Sequence, residues 1–219
     1  MTESSISSRE EQTGEGKLKP FPPPHFYHIA EPSNMTSIRR HGLLSTERLV
    51  RRAVRDNAQR DAILGTHRAD SLILRDGVYI RDQRPMPPSL LKSALCNDMT
   101  PSDWYRFLNG FVFLWANEDR LNRHLRAFEG RRQVVLIFDA KRLLADLGHQ
   151  VFLSPINSGN ARRNAVARSR TLFTSYHDWL SKGWPIIGSQ QRPRSSSPAE
   201  VVVKGHLPLN PYLINEYHA

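Results

Sequence analysis

Two short segments of this chain hold the side chains whose types and spacing could do chemistry. The first is Tyr27-His28-Ile29-Ala30-Glu31-Pro32-Ser33-Asn34-Met35-Thr36-Ser37-Ile38-Arg39-Arg40-His41-Gly42-Leu43-Leu44-Ser45. It sets a histidine on a strand-like run, ahead of a turn, one short helix and a Gly-Leu-Leu-Ser exit. The second is Ser197-Pro198-Ala199-Glu200-Val201-Val202-Val203-Lys204, with Leu207-Pro208 beyond it. It sets a lone carboxylate at the mouth of a strand. A carboxylate so placed can stabilise positive charge developing on a bound ligand. Arginine offers a planar, permanently charged fork for phosphate. Taken singly, the same residues also read as an edge-strand histidine and a solvated strand-end charge.

The rest of the composition narrows the chemistry. The chain has 219 residues, with 31 Lys and Arg against 21 Asp and Glu, a formal charge of +10. That excess points to an anionic partner such as nucleic acid or a nucleotide. No run approaches the ~18 apolar residues of a membrane span, and the first residues lack the apolar stretch of a signal peptide. A cytoplasmic protein with no membrane partner is expected. The single cysteine, Cys96, excludes a disulfide framework and a Cys-clustered zinc site. No G-x-G-x-x-G follows a strand, and the P-loop, H-E-x-x-H and G-x-S-x-G patterns are missing. The histidines show no metal-ligand spacing.

These side chains need elements to hold them. Residues 1–24 predict a disordered tail ending in the stiff Phe21-Pro22-Pro23-Pro24, ahead of one domain over 25–219. Residues 25–29 predict a strand. Ser33 is the expected cap of a helix reaching His41, with Gly42 as its left-handed terminator. Residues 46–62, rich in Arg and Ala, predict a solvent-facing helix. Residues 71–81 predict a hairpin with a two-residue turn at Asp76-Gly77. Thr100-Pro101-Ser102-Asp103 opens a helix that stops at Asn109-Gly110. Strands are expected at 111–115, 134–138, 151–153 and 201–204, with Asn117 and Asp139 capping the helices between them. Residues 154–198 read as loop. Strands scattered among short helices, without regular alternation, predict an α+β fold.

Together the two segments resemble the ADP-ribosyltransferase fold, above all the DarT-type toxins that modify DNA. Those open on a similar Y-H-I-T…N-L-x-x-I-x-x-x-G and close on an A-E-V-L-V strand with a nearby Pro; this chain departs from them in carrying Ala30 for the Thr. Ile80-Arg81-Asp82-Gln83, Asp103-Trp104-Tyr105 with Leu108-Asn109, Val112-Phe113-Leu114-Trp115 and Ser154-Pro155-Ile156-Asn157-Ser158-Gly159 are similar to a family of uncharacterised bacterial domains of this fold. The resemblance spans about residues 25 to 215 and implies two small packed sheets flanked by short helices.

It also implies a function: NAD-dependent mono-ADP-ribosyl transfer, with NAD as co-substrate and no metal. Breaking the ribose–nicotinamide bond passes through an oxocarbenium-like state, and Glu200 is the carboxylate implied to stabilise it. Arg81 is implied on the diphosphate, with Arg68 behind it. His28 is implied on the adenosine-side ribose and the Ile29 backbone on the nicotinamide amide. Tyr79, Trp115 or Tyr27 would stack on the ring. Asn34 and Ser45 join the cofactor side as members of the matched segment. In this fold the loop region before Glu200 lies near the acceptor, so Asn157, Ser158, Arg162, Arg163 and Arg168 become acceptor-side candidates and DNA or RNA the expected acceptor. The same arginines also read as a solvated face. Two other functions stay open: a catalytically inactive nucleic-acid-binding module, and RNA 2′-phosphate transfer on the same fold.

Overall fold

The computed structural model describes residues 21–128, 130–162, 166–187, 192–193 and 195–219. The expected tail lies outside the described residues up to residue 20. Phe21 belongs to the folded part: its ring meets Trp179 edge-on at 5.1 Å, and the Pro24 carbonyl accepts from the Ala140 N–H at 3.2 Å. The fold therefore begins before His25, because the proline run carries an aromatic anchor onto the core.

From there β1 (His25–Ala30) leads through a 3-10 turn at Pro32–Asn34 into α1 (Met35–His41), β2 (Leu43–Leu44), α2 (Thr46–Ala53) and α3 (Asn57–Gly65). The hairpin of β3 (Leu72–Ile73) and β4 (Tyr79–Ile80) follows, then α4 (Pro88–Lys92), α5 (Pro101–Asn109) and β5 (Phe111–Leu114). The second half runs through α6 (Glu118–Ala127), β6 (Val134–Asp139), α7 (Ala140–Leu147), β7 (Val151–Ser154), β8 (Thr174–Ser175) and α8 (Tyr176–Lys182). It closes with β9 (Glu200–Lys204), β10 (His206–Leu207) and β11 (Leu213–His218).

Side-chain caps start α2, α3, α5, α6, α7 and α8, from Ser45, Asp56, Thr100, Asn117, Asp139 and Ser175. At α5 Thr100 and Asp103 bond reciprocally. The cap expected at Ser33 is absent. Ser33 sits inside the 3-10 turn, and Asn34, which precedes α1, has its side chain engaged with Tyr79 instead. Gly42 ends α1 as expected, at φ 71°, and a Cβ there would lie 2.6 Å from the Leu207 carbonyl oxygen. Both the backbone angle and the approach of β10 demand glycine.

The helix expected over 46–62 is two helices. Val54 leaves helical geometry, which lets Val50, Val54 and Leu64 close on Leu74, Val78 and Ile80 in a small satellite core. The hairpin turn has three residues rather than two. Leu74 N–H bonds the Val78 carbonyl at 2.8 Å, and Gly77 takes the positive angle, φ 78°, that ends such a turn. The stretch expected as loop holds β8 and α8, whose Ser175-x-x-Asp178 cap is a legible helix start.

All pairings between the named strands are antiparallel. One sheet runs β1-β6-β11 and the other β5-β9-β7-β8, with small pairs β2-β10 and β3-β4 beside them. The α+β expectation holds. Phe26, Leu136 and Phe138 of the first sheet share one core with Leu114, Leu153, Val201 and Val203 of the second. On the far side of the second sheet, Val202 packs with Trp104, Tyr105 and Leu172. Covered on both faces, β9 reads as an unbroken valine run rather than an alternating one. Among the described residues the sheets meet at one bridge: Tyr27 N–H to the Trp115 carbonyl, 2.9 Å, and Trp115 N–H to the Tyr27 carbonyl, 2.8 Å.

Phe138 is fully buried in the shared core, opposite Phe26. Phe138→Ala should cost about 3–5 kcal/mol, read as a lower urea midpoint with an unchanged slope.

Candidate functional site

A cavity of about 260 Å³ opens between β1, α1, β4 and β5, and His28, Ile29, Asn34, Tyr79 and Arg81 line it. The alternation of β1 turns His28 to the same side as Phe26 and Ala30, toward the second sheet. Its Nδ1 lies 2.9 Å from the Phe113 carbonyl oxygen. A carbonyl only accepts, so Nδ1 carries the proton and Nε2 keeps its lone pair. Burial, aided by the nearby Arg81 charge and opposed by the Phe113 bond, lowers the imidazole pKa to about 4. At neutral pH His28 is therefore a neutral acceptor, and among the described residues Nε2 has no hydrogen-bond partner. Ile29 packs its side chain on the opposite face, beside Tyr27 and Val135, so it offers the cavity its backbone.

Asn34 and Arg81 are held, rather than presented bare. The Asn34 amide accepts from Tyr79 N–H and donates to the Tyr79 carbonyl, each at 2.8 Å. It extends β4 as a strand would and fixes where Arg81 begins. Arg81 Nε donates to Glu31 Oε1 at 2.7 Å, and its Nη2 donates to the Gln133 side chain. Arg131 Nη2 reaches the same Glu31 oxygen at 2.9 Å and the Tyr79 hydroxyl at 2.9 Å, with its guanidinium 5.3 Å from the centre of the Tyr79 ring. Sequence reading missed Glu31, Gln133 and Arg131. Glu31 lies inside the first motif, but Arg131 and Gln133 come from the turn before β6, where nothing periodic marks them.

Four other cofactor-side candidates do not line this cavity. Arg68 lies behind Arg81, as expected, but its Nη groups bond Asn109 at 3.1 Å and the Ile63 carbonyl at 3.2 Å. Burial lowers its pKa, and it braces the core. Ser45 is buried under the start of α2 as its cap. Tyr27 faces Leu121 and Val135 on the other side of β1, and burial raises its phenol, helped by Glu118 and Tyr217. Trp115 forms the sheet bridge and stacks near His124 at 5.3 Å. Of the three stacking candidates, Tyr79 alone lines the cavity.

Glu200 opens β9 opposite Ser154, but it is not the solvated strand-end charge of the isolated reading. It is half-buried, and Ser158 donates to Oε2 twice, from N–H at 3.0 Å and from Oγ at 2.6 Å. Burial pushes its carboxyl up to about 7, against the pull of the Ser158 bonds and the charges of Arg120 and Arg168. It shares a face of β9 with Val202 and lies outside the cavity lining. Phe113 links the two: its carbonyl holds His28, and it pairs across the ladder with Val202.

The acceptor-side expectation changes accordingly. Ser158 is fully buried and Arg168 is 1% exposed. The Arg168 Nη groups bond the Val166 and Asn160 carbonyls at 2.8 and 2.7 Å, so both residues build the surroundings of Glu200 instead of a binding surface. Asn157 and Arg162 are exposed. Arg163 lies outside the described residues.

A second opening, about 650 Å³, lies on the same face of the second sheet, at the Lys204 end of β9. Glu200 and Lys204 are four residues apart on that strand, about 13 Å. Phe107, Phe111, Phe152 and Phe173 wall this groove; Arg48, Arg51, Arg106, Arg170 and Lys204 rim it. Glu47 pairs with Arg51 at 2.8 Å and Asp61 with Arg106 at 2.7 Å, while Asp103 faces Arg170. Among the described residues Arg48, Arg170 and Lys204 make no ion pair. Arg48 and Arg51 carry the positive surface on past His41 and His206 to Arg52, and from there to Arg55 and Arg75. The sequence showed these arginines only as a solvated helix face.

The model of a family of unknown function, DUF7002, matches residues 24–210. The chain belongs to DUF7002. No curated protein matches it. The DUF7002 match takes in the cavity, Glu200 and the groove. Among the described residues no helix is long and apolar enough to cross a membrane, and no three His, Cys, Asp or Glu side chains converge as metal ligands.

His28 and Glu200 give this DUF7002 chain opposed pH responses. His28 falls from 6.5 unfolded to about 4 folded, so the unfolded chain binds the extra proton and stability drops as pH falls through 6.5 to 4. Glu200 rises from 4.5 to about 7, so the folded chain holds the extra proton and stability drops as pH rises through 4.5 to 7. Each full swing is on the order of 3 kcal/mol. In urea titrations between pH 4.5 and 6.5 the parent should look nearly flat. His28→Asn should gain stability toward acid and Glu200→Gln toward neutrality; parallel slopes in the two variants would contradict these protonation states.

Proposed function

We propose that this chain is an NAD-dependent mono-ADP-ribosyltransferase acting on nucleic acid. The observation that carries the reading is the cavity. His28, Ile29, Asn34, Tyr79 and Arg81, the nucleotide ligands that the family resemblance implies, come from two separate segments and line one space. At about 260 Å³ it is smaller than the ~300–1,000 Å³ of a drug-sized site, so it takes one end of a dinucleotide while the rest lies at its mouth. His28 Nε2 accepts from a ribose hydroxyl, the Ile29 backbone bonds the carboxamide, Tyr79 offers its ring and Arg81 meets phosphate. Glu200 lies outside that lining, and the reading assigns it, in its ionised form, to the oxocarbenium-like state of a ribose held beyond the cavity mouth.

The nucleic-acid partner is supported by the groove on the Glu200 face. Its cations neutralise phosphates and its aromatic walls receive bases, the combination that single strands use. A second reading, a binding module without turnover, is favoured by one observation: Glu200 is bonded to Ser158 outside the cavity.

The test is incubation with labelled NAD and separate pools of DNA, RNA and protein. Label should pass to nucleic acid. Salt-sensitive strand binding without NAD consumption would favour the binding module. Glu200→Gln should keep the fold, since Ser158 can still donate to the amide oxygen, and should lose about a hundredfold or more in turnover. Parent turnover should rise with pH through about 7 as the carboxyl ionises. Reversing Arg48 and Arg51 to Glu should weaken single-strand binding about tenfold or more at low salt and flatten its salt slope, whereas reversing Arg162 should do far less.

A further inference from the structure

Two guanidinium groups meet on one carboxylate oxygen beside the cavity: Arg81 and Glu31 line it, and Arg131 is held against Glu31 and Tyr79. Arg81 Nε and Arg131 Nη2 lie 2.7 and 2.9 Å from Glu31 Oε1. Two cations and one anion leave the cluster one positive charge in excess, and the neutral His28 beside it does not alter that sum. The side chains of both arginines are about a third exposed, that of Glu31 much less, at 12%. The carboxylate is thus the inner member, facing the cavity that it lines.

Neither arginine depends on Glu31 alone for its position. Arg81 is also tethered to the Gln133 side-chain oxygen. Arg131 is also tethered to the Tyr79 hydroxyl and lies over its ring. Gln133 and Tyr79 are neutral acceptors, so they orient the two forks without cancelling their charge. Tyr79 is in turn fixed through its backbone by Asn34. Remove the Glu31 carboxylate and what remains is a pre-oriented pair of arginines beside a cavity, the arrangement that holds phosphate groups. A diphosphate, with more oxygens and more charge than one carboxylate, balances the pair more fully. Glu31 can withdraw without disturbing the backbone. It follows β1 in extended conformation, φ −74° and ψ 137°, which suits a residue before proline.

We propose that Arg81 and Arg131 form a phosphate-binding site which the protein fills with its own Glu31 carboxylate until a phosphate-bearing ligand displaces it. The proposal rests on the nucleotide reading of the cavity and adds two things to it: Arg131 is a second phosphate ligand, and Glu31 is a built-in competitor that sets ligand affinity. Exchange is governed by charge. Ligands ending in phosphate compete with Glu31, and a nucleoside without phosphate does not.

The experiment is calorimetric titration of the full chain with inorganic pyrophosphate, ADP, NAD and adenosine, at low salt, with melting curves to confirm folding. Glu31→Gln should bind pyrophosphate and ADP about tenfold more tightly, and Arg131→Ala about tenfold more weakly, the scale of one hydrogen bond to a charged group. Adenosine should be indifferent to both changes. Glu31→Asp, one methylene shorter, should fall between parent and Glu31→Gln. If Glu31→Gln weakens phosphate binding as Arg131→Ala does, Glu31 is a brace for the arginines and the proposal is overturned. If ADP and NAD bind the parent and neither substitution matters, the nucleotide reading survives and the displaced carboxylate does not. If pyrophosphate follows the expected pattern while NAD fails to bind, the anion site stands and the dinucleotide reading falls. Folded variants that bind none of the phosphates overturn both.

Discussion

The junction between β1 and β5 is the contact on which the arrangement depends. Each is an edge strand, and an edge leaves N–H and C=O groups without partners. Here the edges close on each other through one bridge, Tyr27 with Trp115, and then part. Where the next ladder bond would fall, the His28 imidazole takes the Phe113 carbonyl. A side chain thus replaces a backbone donor at the point where the sheets separate. The gap it props open becomes the cavity, and the same bond fixes the tautomer that leaves Nε2 accepting. Protonating His28 would place a charge against the shared core and beside Arg81, which is why its pKa lies so low. Sheet geometry and ligand chemistry are one interaction seen from two sides.

Arginine serves three purposes in this chain, and burial sorts them. Arg68 and Arg168 are packed inward and bonded mainly to carbonyl oxygens, so they supply donors to inward-facing acceptors. Arg81 and Arg131 stand at intermediate depth, sharing one carboxylate beside the cavity. Arg48, Arg51 and Arg170 rim an aromatic groove in contact with solvent. The formal +10 cannot separate these groups, since it counts a guanidinium under a loop and one on a groove alike. Among the described residues, the groove on the Lys204 side of β9 is where cations meet an aromatic surface.

Glu200 sits between these two regions. Phe111 lines both the cavity and the groove, and the first residue of β9 carries its carboxylate on the face of Val202, tied to Ser158. Its raised pKa and the lowered pKa of His28 place both groups in their neutral forms over part of the acid range. The sheets thereby avoid burying two uncompensated charges on either side of Phe113.

Much of the local structure was legible in the sequence. The apolar runs of β5, β6 and β9 announce buried strands. Thr100, Asn117 and Asp139 announce helix starts by offering oxygens to unpaired N–H groups, and Gly42 announces the end of α1. The choice of His28, Ile29, Asn34, Tyr79 and Arg81 came instead from the resemblance of their segments to the ADP-ribosyltransferase family; the local patterns gave only the elements that carry them. The tertiary structure alone decided the rest. Strands of two residues, β2, β8 and β10, have no period to read. The Ser158 clamp joins residues 42 apart, and the pair of Arg131 with Tyr79 joins residues 52 apart. Burial turned Arg168 into a core donor and left Arg48 on a groove. A residue's type determines what it can bind; what the distant chain packs over it determines whether it meets a ligand, a carbonyl or water.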